Sequence, residues 1–297
     1  MREPLALVLG EDDIRALVPH PAWDTNKYAR GTVGVVGGSR DYPGAPIMTA
    51  LAASRAGAGY VRLVTTQAAA SVARAHLLSI PVTACRQSYE GTLSQSTIAE
   101  VLDAISKSRV LVVGPGLSAD DSASGLLTRL LEDLREEEVQ RPIVFDADAL
   151  NIVSKHPELL ELRVGAPNIL TPHEGEAARL LGRKVQDRVA DALEIARRYS
   201  ATAVLKGPKT LIASPEGTVY ENTSAGPELA KAGTGDVLAG IIGALAAQGL
   251  GMLDAASLGV HLHSVAGSLA ARQMGVNAVL PEDIISNIGP AYLALGA

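Results

Sequence analysis

The segment 232–240 carries the sharpest chemical signal in the sequence. It reads AGTGDVLAG, so two glycines and a threonine precede Asp236, and an apolar stretch of helical length follows. Glycines let consecutive backbone N–H groups turn toward one point, and a helix N-terminus adds about half a positive charge. Gly233, Thr234 and Gly235 therefore predict a cradle for a phosphate, or for negative charge that develops in a reaction. Asp236 stands at its mouth and could take a proton from a hydroxyl nucleophile, although an ordinary N-cap carboxylate gives the same spacing.

Charged side chains also follow three β-rich runs. Asp146 and Asp148 are two residues apart, a pattern that can bind Mg²⁺ through water, orient a substrate hydroxyl or merely cap the next helix. His173 lies beside two glutamates in the segment 171–176, TPHEGE, and is either functional or structural there. The segment 204–210, VLKGPKT, places lysines and backbone N–H groups where a nucleotide phosphate or ribose could bind, or else forms a charged turn.

Two glycine-containing turns complete the candidate sites. Residues 37–46 read GGSRDYPGAP and residues 114–117 read GPGL, each after a predicted strand. Small residues let a ligand approach the backbone closely, although tight turns use the same residues. The G-x-G-x-x-G and Walker A patterns are absent from the sequence. His261 and His263 are two residues apart in an Ala-rich helix, so they do not share a face and are predicted to be structural.

The elements that must position these residues alternate between β-rich runs and Ala/Leu-rich stretches of helical length. The predicted strands are 32–36, 60–65, 110–113, 143–146, 168–170, 203–206 and 210–213. The predicted helices are 46–56, 96–106, 122–138, 174–181, 185–199, 236–248 and 255–273. Continuous apolar strands are typical of a parallel sheet covered on both faces, so we predict a doubly wound α/β fold, with an antiparallel hairpin over 210–220 at one edge. Ligands of such sheets bind beyond the carboxyl ends of the strands, where the candidate residues lie.

Composition excludes several classes of protein. Apolar residues make up 47% of the 297 residues, which is enough to bury a large core and argues against disorder. The net charge of −6 argues against a nucleic-acid-binding surface, and the single cysteine, Cys85, argues against a disulfide scaffold. The apolar stretch 237–253 is too short and too rich in glycine to span a membrane, and the acidic start does not resemble a signal peptide. We therefore expect a cytoplasmic protein with a single domain over residues 1–297.

Taken in order, these motifs resemble those of the ADP/ATP-dependent NAD(P)H-hydrate dehydratases, in the ribokinase-like superfamily. The matching segments run along nearly the whole chain: GGSRDYPGAP, GPGL, DADALN, LTPHEGE, VLKGPKT and AGTGDVLAG. The resemblance implies a ribokinase-like fold and the repair of hydrated NADH or NADPH, with ADP or ATP as co-substrate and Mg²⁺ as cofactor. The epimerase domain that some members carry is not seen, so the chain resembles the stand-alone bacterial forms, which use ADP and form homotetramers.

The resemblance also assigns roles to residues. The hydrate-binding positions of the family fall on Ala45, Gly116, His173 and Asp236, and Asp236 would be the catalytic base. The adenine-nucleotide contacts fall on Lys206, Gly207, Pro208, Lys209, Thr210 and Gly235. The metal ligands are unassigned, with Asp146 and Glu176 as candidates.

Two departures from the family pattern are visible. Lys231 ends a Leu-Ala-Lys segment where the family usually has Met-Ala-Thr, and Glu174 replaces a usual proline after His173. Lys231 either adds positive charge beside the transferred phosphate or is solvated.

Other functions remain open at this point. A ribokinase-like kinase of a small alcohol or vitamin precursor would share the glycine cradle, and a non-catalytic nucleotide sensor would share the nucleotide contacts. The acid beside the phosphates argues against the sensor, because binding alone gains little from it. A Rossmann oxidoreductase lacks its fingerprint here. The sequence does not distinguish NADH hydrate from NADPH hydrate.

Overall fold

A computed structural model describes residues 5–296 of the chain. Its nine strands form one sheet in the order β3-β2-β1-β4-β5-β6-β7-β8-β9. The pairs from β3 through β7 are parallel, and β8 and β9 are added antiparallel at one edge. The strands are β1 (Thr32–Val36), β2 (Tyr60–Thr66), β3 (Val82–Cys85), β4 (Val110–Val113), β5 (Ile143–Phe145), β6 (Asn168–Leu170), β7 (Thr202–Leu205), β8 (Thr210–Ala213) and β9 (Val219–Asn222).

Helices connect the parallel strands and cover both faces of the sheet. They are α1 (Glu11–Ala16), α2 (Gly44–Arg55), α3 (Gln67–His76), α4 (Ile98–Ile105), α5 (Asp121–Arg135), α6 (Asp148–Lys155), α7 (Glu174–Leu181), α8 (Arg188–Arg198), α9 (Thr234–Ala247), α10 (Met252–Met274) and α11 (Pro281–Ala294). Short 3₁₀ turns lie at Gln95–Thr97, Pro157–Arg163, Pro227–Leu229 and Val276–Ala278. No helix within residues 5–296 is both long and apolar enough to cross a membrane.

The apolar strands divide their side chains between two cores, because successive residues of a strand point to opposite faces. Val33 and Val35 of β1 belong to a core built with α2, α9, α10 and α11, whereas Val36 belongs to a core on the other face. The second core is built with α4 to α8 and includes Leu111 and Phe145. Both faces are therefore buried, and the predicted doubly wound, mainly parallel sheet is confirmed.

One edge of the sheet agrees with the sequence prediction, whereas several helices and one strand were not predicted. The antiparallel hairpin after residue 210 is confirmed, and the N-terminal segment adds a short bridge, with the Leu7 N–H donating to Val219 O at 2.9 Å. The sequence patterns did not predict the helices α1, α3, α6 and α11 or the strand β3. The β3 strand is four residues long and three of them are only half-buried, so it carries little of the continuous apolar signal of the inner strands.

Small residues allow α2 and α9 to pack closely against each other. A Cβ atom built on Gly240 of α9 would lie 2.2 Å from the carbonyl oxygen of Thr49 in α2 and 3.0 Å from the Cβ of Ala52. The backbone carbonyl cannot move without shifting the helix. This glycine therefore sets how closely α9 approaches α2, and the start of α9 is where the cradle lies.

We predict that Gly240→Ala lowers the free energy of unfolding by about 2 kcal/mol, because the added methyl group overpacks this helix contact. Gly125→Ala is the control. It adds the same methyl group inside α5, where the nearest atom would be 3.8 Å away, so we expect a gain of about 0.5–1 kcal/mol from helix propensity. Urea unfolding of both variants measures the difference, and equal effects would contradict the packing argument.

Candidate active site

A cleft of about 730 Å³ opens at the carboxyl ends of β5, β6 and β7, against the start of α9. Its lining comes from five segments of the chain. They are Asp146 and Ala147; His173 and Glu176; Lys206, Gly207, Pro208 and Thr210; most of residues 225–238; and Val260, His263 and Ser264. The lining contains no Phe, Tyr or Trp. A ligand in this cleft therefore contacts backbone, small residues and charged groups rather than aromatic rings.

The predicted cradle lies at the start of α9. The helix begins at Thr234, with Gly233 as its N-cap at φ +94°, a left-handed conformation that favours glycine. Asp236 is thus in the first helical turn, so the alternative interpretation as an N-cap is wrong. The N–H groups of this first turn have no preceding helix carbonyl to bond, so those of Gly235 and Asp236 are available to an anion. The hydroxyl of Thr234 instead donates to the carbonyls of Leu229 (2.7 Å) and Lys231 (2.9 Å), so this residue contributes backbone only.

One ammonium group lies among the carboxylates of the cleft. Lys206 Nζ is 2.9 Å from Asp146 Oδ1 and 3.8 Å from Glu176 Oε2. The same Asp146 oxygen accepts a hydrogen bond from the Thr171 hydroxyl at 2.7 Å. A Cβ atom on Gly235 would lie 3.3 Å from Lys206 Nζ, so the ammonium group also stands beside the cradle. Lys206 is therefore placed to contact a phosphate bound at the start of α9.

The pKa of the Asp236 carboxyl lies above that of an ordinary aspartate. Burial raises its pKa to about 7, with a further rise from the nearby Asp146 carboxylate and an opposing effect of Lys206. Burial likewise raises the pKa of Glu176, and Lys206 opposes that rise as well. A carboxyl whose pKa is close to neutrality can accept a proton and release it again at physiological pH, which suits a general base.

His173 is the N-cap of α7 and is fixed by a capping box. Its Nδ1 accepts hydrogen bonds from the backbone N–H groups of Gly175 (2.9 Å) and Glu176 (3.2 Å), while Glu176 Oε2 accepts one from the His173 N–H (2.7 Å). Burial, followed by the positive charge of Lys206, lowers the imidazole pKa. The ring is therefore neutral near pH 7, and because Nδ1 is an acceptor, Nε2 carries the proton.

Ala147, which separates Asp146 from Asp148, has a strained backbone conformation. Ala147 adopts φ +51° and ψ −115°, a conformation that residues with a Cβ rarely take. Asp148 is the first residue of α6 rather than its N-cap, and its Oδ2 accepts a hydrogen bond from the Ser118 N–H at 2.8 Å. The strained residue thus turns Asp146 to Lys206 while Asp148 holds the loop that follows GPGL.

The structure brings most of the predicted positions together, but not all. His173, Asp236, Lys206, Gly207, Pro208, Thr210, Gly233, Thr234 and Gly235 all line the cleft. Ala45 and Gly116 do not line it; they meet each other beyond the ends of β1 and β4, where a Cβ on Gly116 would be 3.2 Å from that of Ala45. Lys209 also lies outside the lining, with its Nζ 3.1 Å from Glu221 Oε1.

Contacts in the structure place Lys231, which the sequence left open, and His263, which was predicted to be structural. Lys231 is part of the cleft lining, and its Nζ donates to the carbonyls of Asn277 (2.7 Å) and Val279 (2.5 Å), so it fastens the loop after α10. His263 is buried in the lining, burial lowers its pKa to about 4, and its Nε2 has no hydrogen-bond partner within residues 5–296. This histidine is therefore neutral.

The two metal candidates lie in the cleft. Asp146 and Glu176 both face Lys206, and the described residues contain no group of three His, Cys, Asp or Glu side chains that could hold a metal ion. Mg²⁺ usually needs only one or two carboxylates, with water and substrate phosphates as its other ligands. The pair therefore fits an ion that arrives with a nucleotide better than a permanently bound one.

One neighbour of the cleft was missed by the sequence analysis. Arg188, the first residue of α8, contacts three carbonyls of the loop 205–209 through its Nη2. No motif marks this arginine, because it is separated in sequence from the loop that it contacts.

The chain matches a known family over most of its length. The family model described as NAD(P)H-hydrate dehydratase matches residues 33–290. The ADP-dependent (S)-NAD(P)H-hydrate dehydratase of Neisseria meningitidis serogroup B is 39% identical over 278 residues, which cover 91% of this chain and 86% of that protein. The chain spans about half the length of other curated relatives that it matches, which are named bifunctional NAD(P)H-hydrate repair enzymes.

Solved structures share the fold. A ribokinase-like superfamily protein from Enterococcus faecalis has a TM-score of 0.81 at 25% identity, with 99% of each chain covered. The ADP/ATP-dependent NAD(P)H-hydrate dehydratase from Bacillus subtilis, co-crystallised with ATP/Mg²⁺, has a TM-score of 0.79 at 24% identity, with 98% of this chain and 99% of that chain covered. The ribokinase-like fold implied by the sequence motifs is thereby confirmed.

We predict that Asp236→Asn stabilises the ligand-free protein more at pH 8 than at pH 5. The folded chain holds the Asp236 proton up to about pH 7, whereas the unfolded chain loses it near the ordinary value of 3.8. The contribution of this group to the free energy of unfolding therefore falls as the pH rises from about 4 to 7 and is constant above.

Asparagine does not titrate, so the variant should gain about 2–3 kcal/mol over the original chain between pH 5 and 8. Urea unfolding at the two pH values measures this gain. Asp254→Asn, which removes an exposed carboxylate from the first turn of α10, controls for the loss of one negative charge. A gain from Asp236→Asn that is the same at both pH values would contradict a raised pKa.

Proposed function

Because this chain belongs to the NAD(P)H-hydrate dehydratase family, we propose that it dehydrates the S form of hydrated NADH or NADPH at the expense of ADP. The products would be NADH or NADPH, AMP and phosphate. The name of the Neisseria meningitidis relative supports ADP as co-substrate and the S form as substrate, and that of the Bacillus subtilis protein supports use of ATP as well.

The observation that carries the proposal is the joint placement of a base and an anion site. Asp236, with its pKa near 7, lies in the same helical turn as the N–H groups that would receive a phosphate, and Lys206 stands beside both. A hydroxyl of the substrate at this point would meet its proton acceptor and its phosphoryl donor together. That arrangement suits phosphoryl transfer, in which positioning and charge stabilisation supply most of the catalysis.

The proposed reaction has two stages. Asp236 takes the proton of the hydroxyl on the hydrated ring, and the oxygen attacks the terminal phosphorus of ADP, so a C–O–P linkage forms and AMP leaves. The C–O bond then breaks, phosphate departs with the bonding electrons, and loss of a proton from the neighbouring ring carbon restores the double bond. Phosphorylation is useful because hydroxide is a poor leaving group and phosphate is a good one.

Residues of the cleft would divide the remaining tasks. The N–H groups at the start of α9 and the ammonium of Lys206 would stabilise charge on the transferred phosphoryl group. The neutral imidazole of His173 would donate from Nε2 to the hydrated nicotinamide nucleotide. Mg²⁺ would neutralise phosphate charge, with Asp146 and Glu176 as the residues that would hold it through water.

Further expectations accompany this proposal. We propose that residues 1–297 act as one ribokinase-like domain, which the continuous nine-stranded sheet supports. We also propose a cytoplasmic location, from the composition and the acidic start of the sequence, and a homotetramer, from the family resemblance. Ala45 and Gly116 would contact the far part of the hydrated nucleotide, since they lie together beyond the ends of the neighbouring strands β1 and β4.

We predict that the protein converts the S form of NADH or NADPH hydrate to the reduced nucleotide, with one AMP and one phosphate for each ADP consumed. Absorbance at the reduced nicotinamide band and chromatography of the adenine nucleotides measure the two sides of the reaction. ADP and ATP, and the two hydrates, are compared side by side to fix the preferences. A phosphorylated alcohol that accumulates while ATP becomes ADP would identify a kinase instead.

We predict that Asp236→Asn lowers turnover by about a hundredfold to ten-thousandfold, because the general base is lost, while ADP affinity measured by calorimetry changes little. In the original enzyme kcat/KM should rise with pH up to about 7 and then level, since Asp236 of the free enzyme acts only when it is deprotonated. A variant that retains turnover, or a kcat/KM that falls as the pH rises from 5 to 7, would contradict the role of Asp236.

A further inference from the structure

The loop that joins β7 to β8 is folded around the side chain of Arg188. Its Nη2 lies 3.2 Å from the carbonyl oxygen of Leu205, 3.3 Å from that of Lys206 and 3.2 Å from that of Lys209. Guanidinium groups are rigid, always charged donors, so one of them can gather several carbonyls. The loop thus has a charged centre supplied by another element, the start of α8.

Close contact at Gly207 shows how tightly the loop surrounds this group. A Cβ atom at Gly207 would lie 2.6 Å from Arg188 Nη2 and 3.0 Å from its Cζ, so any larger residue there would displace the guanidinium group. The carbonyl of Gly207 is bonded as well, since it accepts a hydrogen bond from the Thr210 hydroxyl at 3.1 Å. The carbonyls of residues 205, 206, 207 and 209 all have partners within the fold.

This arrangement matters because the same loop lines the cleft. Lys206, Gly207, Pro208 and Thr210 face it, and unbonded carbonyl oxygens there would repel a phosphate. By holding those oxygens, Arg188 leaves the loop to present the Lys206 ammonium group to the cleft. Arg188 itself does not line the cleft.

A second contact joins Arg188 to the other side of the site. Its Nη1 lies 3.7 Å from Glu174 Oε2, and Glu174 directly follows His173 at the start of α7. Two-thirds of the Glu174 side chain is exposed, so this ion pair adds little stability. It does connect the loop of His173 with the loop of Lys206, at a position where the chain departs from the usual proline of its family.

We propose that Arg188 is a positioning residue for the adenine nucleotide: it holds the loop 205–210 in the conformation that receives the nucleotide, without contacting the nucleotide. The proposal rests on the proposed function in taking ADP as the ligand. Loss of the guanidinium group should therefore weaken ADP binding and leave the hydrate site and the base unchanged.

The test measures ADP affinity by calorimetry and separates KM for ADP from KM for the hydrate. Arg188→Ala should raise the Kd and KM for ADP about tenfold to a hundredfold, as expected for the loss of charged hydrogen bonds. The KM for the hydrate and kcat at saturating ADP should change less than about threefold, since neither Asp236 nor His173 depends on these bonds. Arg188→Lys keeps the charge on a shorter side chain that lacks the planar guanidinium group, so its ADP affinity should fall between those of the original chain and of Arg188→Ala.

Chemical rescue by guanidinium ion and a control variant at Arg198 distinguish a positioning role of Arg188 from general damage to the fold. Guanidinium ion at low millimolar concentration, well below denaturing levels, should restore part of the ADP affinity of Arg188→Ala, whereas sodium chloride at equal ionic strength should not. Arg198→Ala is the matched control, because Arg198 lies on the same helix and donates to the carbonyl of Leu180 at 3.0 Å, away from the loop. Its ADP affinity should be unchanged.

These measurements distinguish a failure of the positioning role of Arg188 from a failure of the proposed function. Unchanged ADP affinity in both Arg188 variants, with dehydration intact, overturns the positioning role alone. Weakened ADP affinity in a protein that does not dehydrate the hydrate overturns the proposed function and leaves the positioning role supported. Failure of the original chain to bind ADP overturns both.

Discussion

The chemistry of the cleft depends on a shortage of positive charge. The carboxyls of Asp146, Glu176 and Asp236 lie close enough to affect one another, and Lys206 is the ammonium group that stands among them. Asp146 takes the short contact with the ammonium. Burial raises the pKa values of Glu176 and Asp236, and the positive charge of Lys206 opposes both rises. A phosphate that enters will compete for the same ammonium.

The fold brings these groups together from distant parts of the chain. Parallel strands end at one edge of the sheet, so Asp146 after β5, His173 after β6 and Lys206 after β7 become neighbours. The start of α9 reaches the same edge because glycine lets this helix lie close against α2. The hydrogen bond from the Lys206 N–H to Pro172 O, at 2.8 Å, ties two of these strand ends directly. The charged side chains of the cleft are therefore held by the sheet rather than by long loops.

Much of this could be predicted from sequence, and the reasons for the failures are physical. Apolar strands such as β1 and β4, and the glycines before Asp236, leave strong local signals, so their places were predicted closely. Motif order singled out His173 and Lys206, and both line the cleft. It did not predict that Lys209 turns to Glu221 or that Lys231 fastens a distant loop, because those contacts depend on tertiary structure. The pKa of Asp236 and the role of Arg188 likewise depend on neighbours far away in sequence.

The order of the strands has a consequence for how the chain acquires its structure during synthesis. A ribosome releases β1 through β7 before α9, yet α9 covers one face of β1 and β4: a Cβ on its Gly243 would lie 2.5 Å from Val112 and 3.8 Å from Val33. Until that helix emerges, the apolar side of the central strands has incomplete cover, a condition that favours aggregation and the recruitment of chaperones. The helix that carries Asp236 thus also covers the central strands, before α10 and α11 complete the same core.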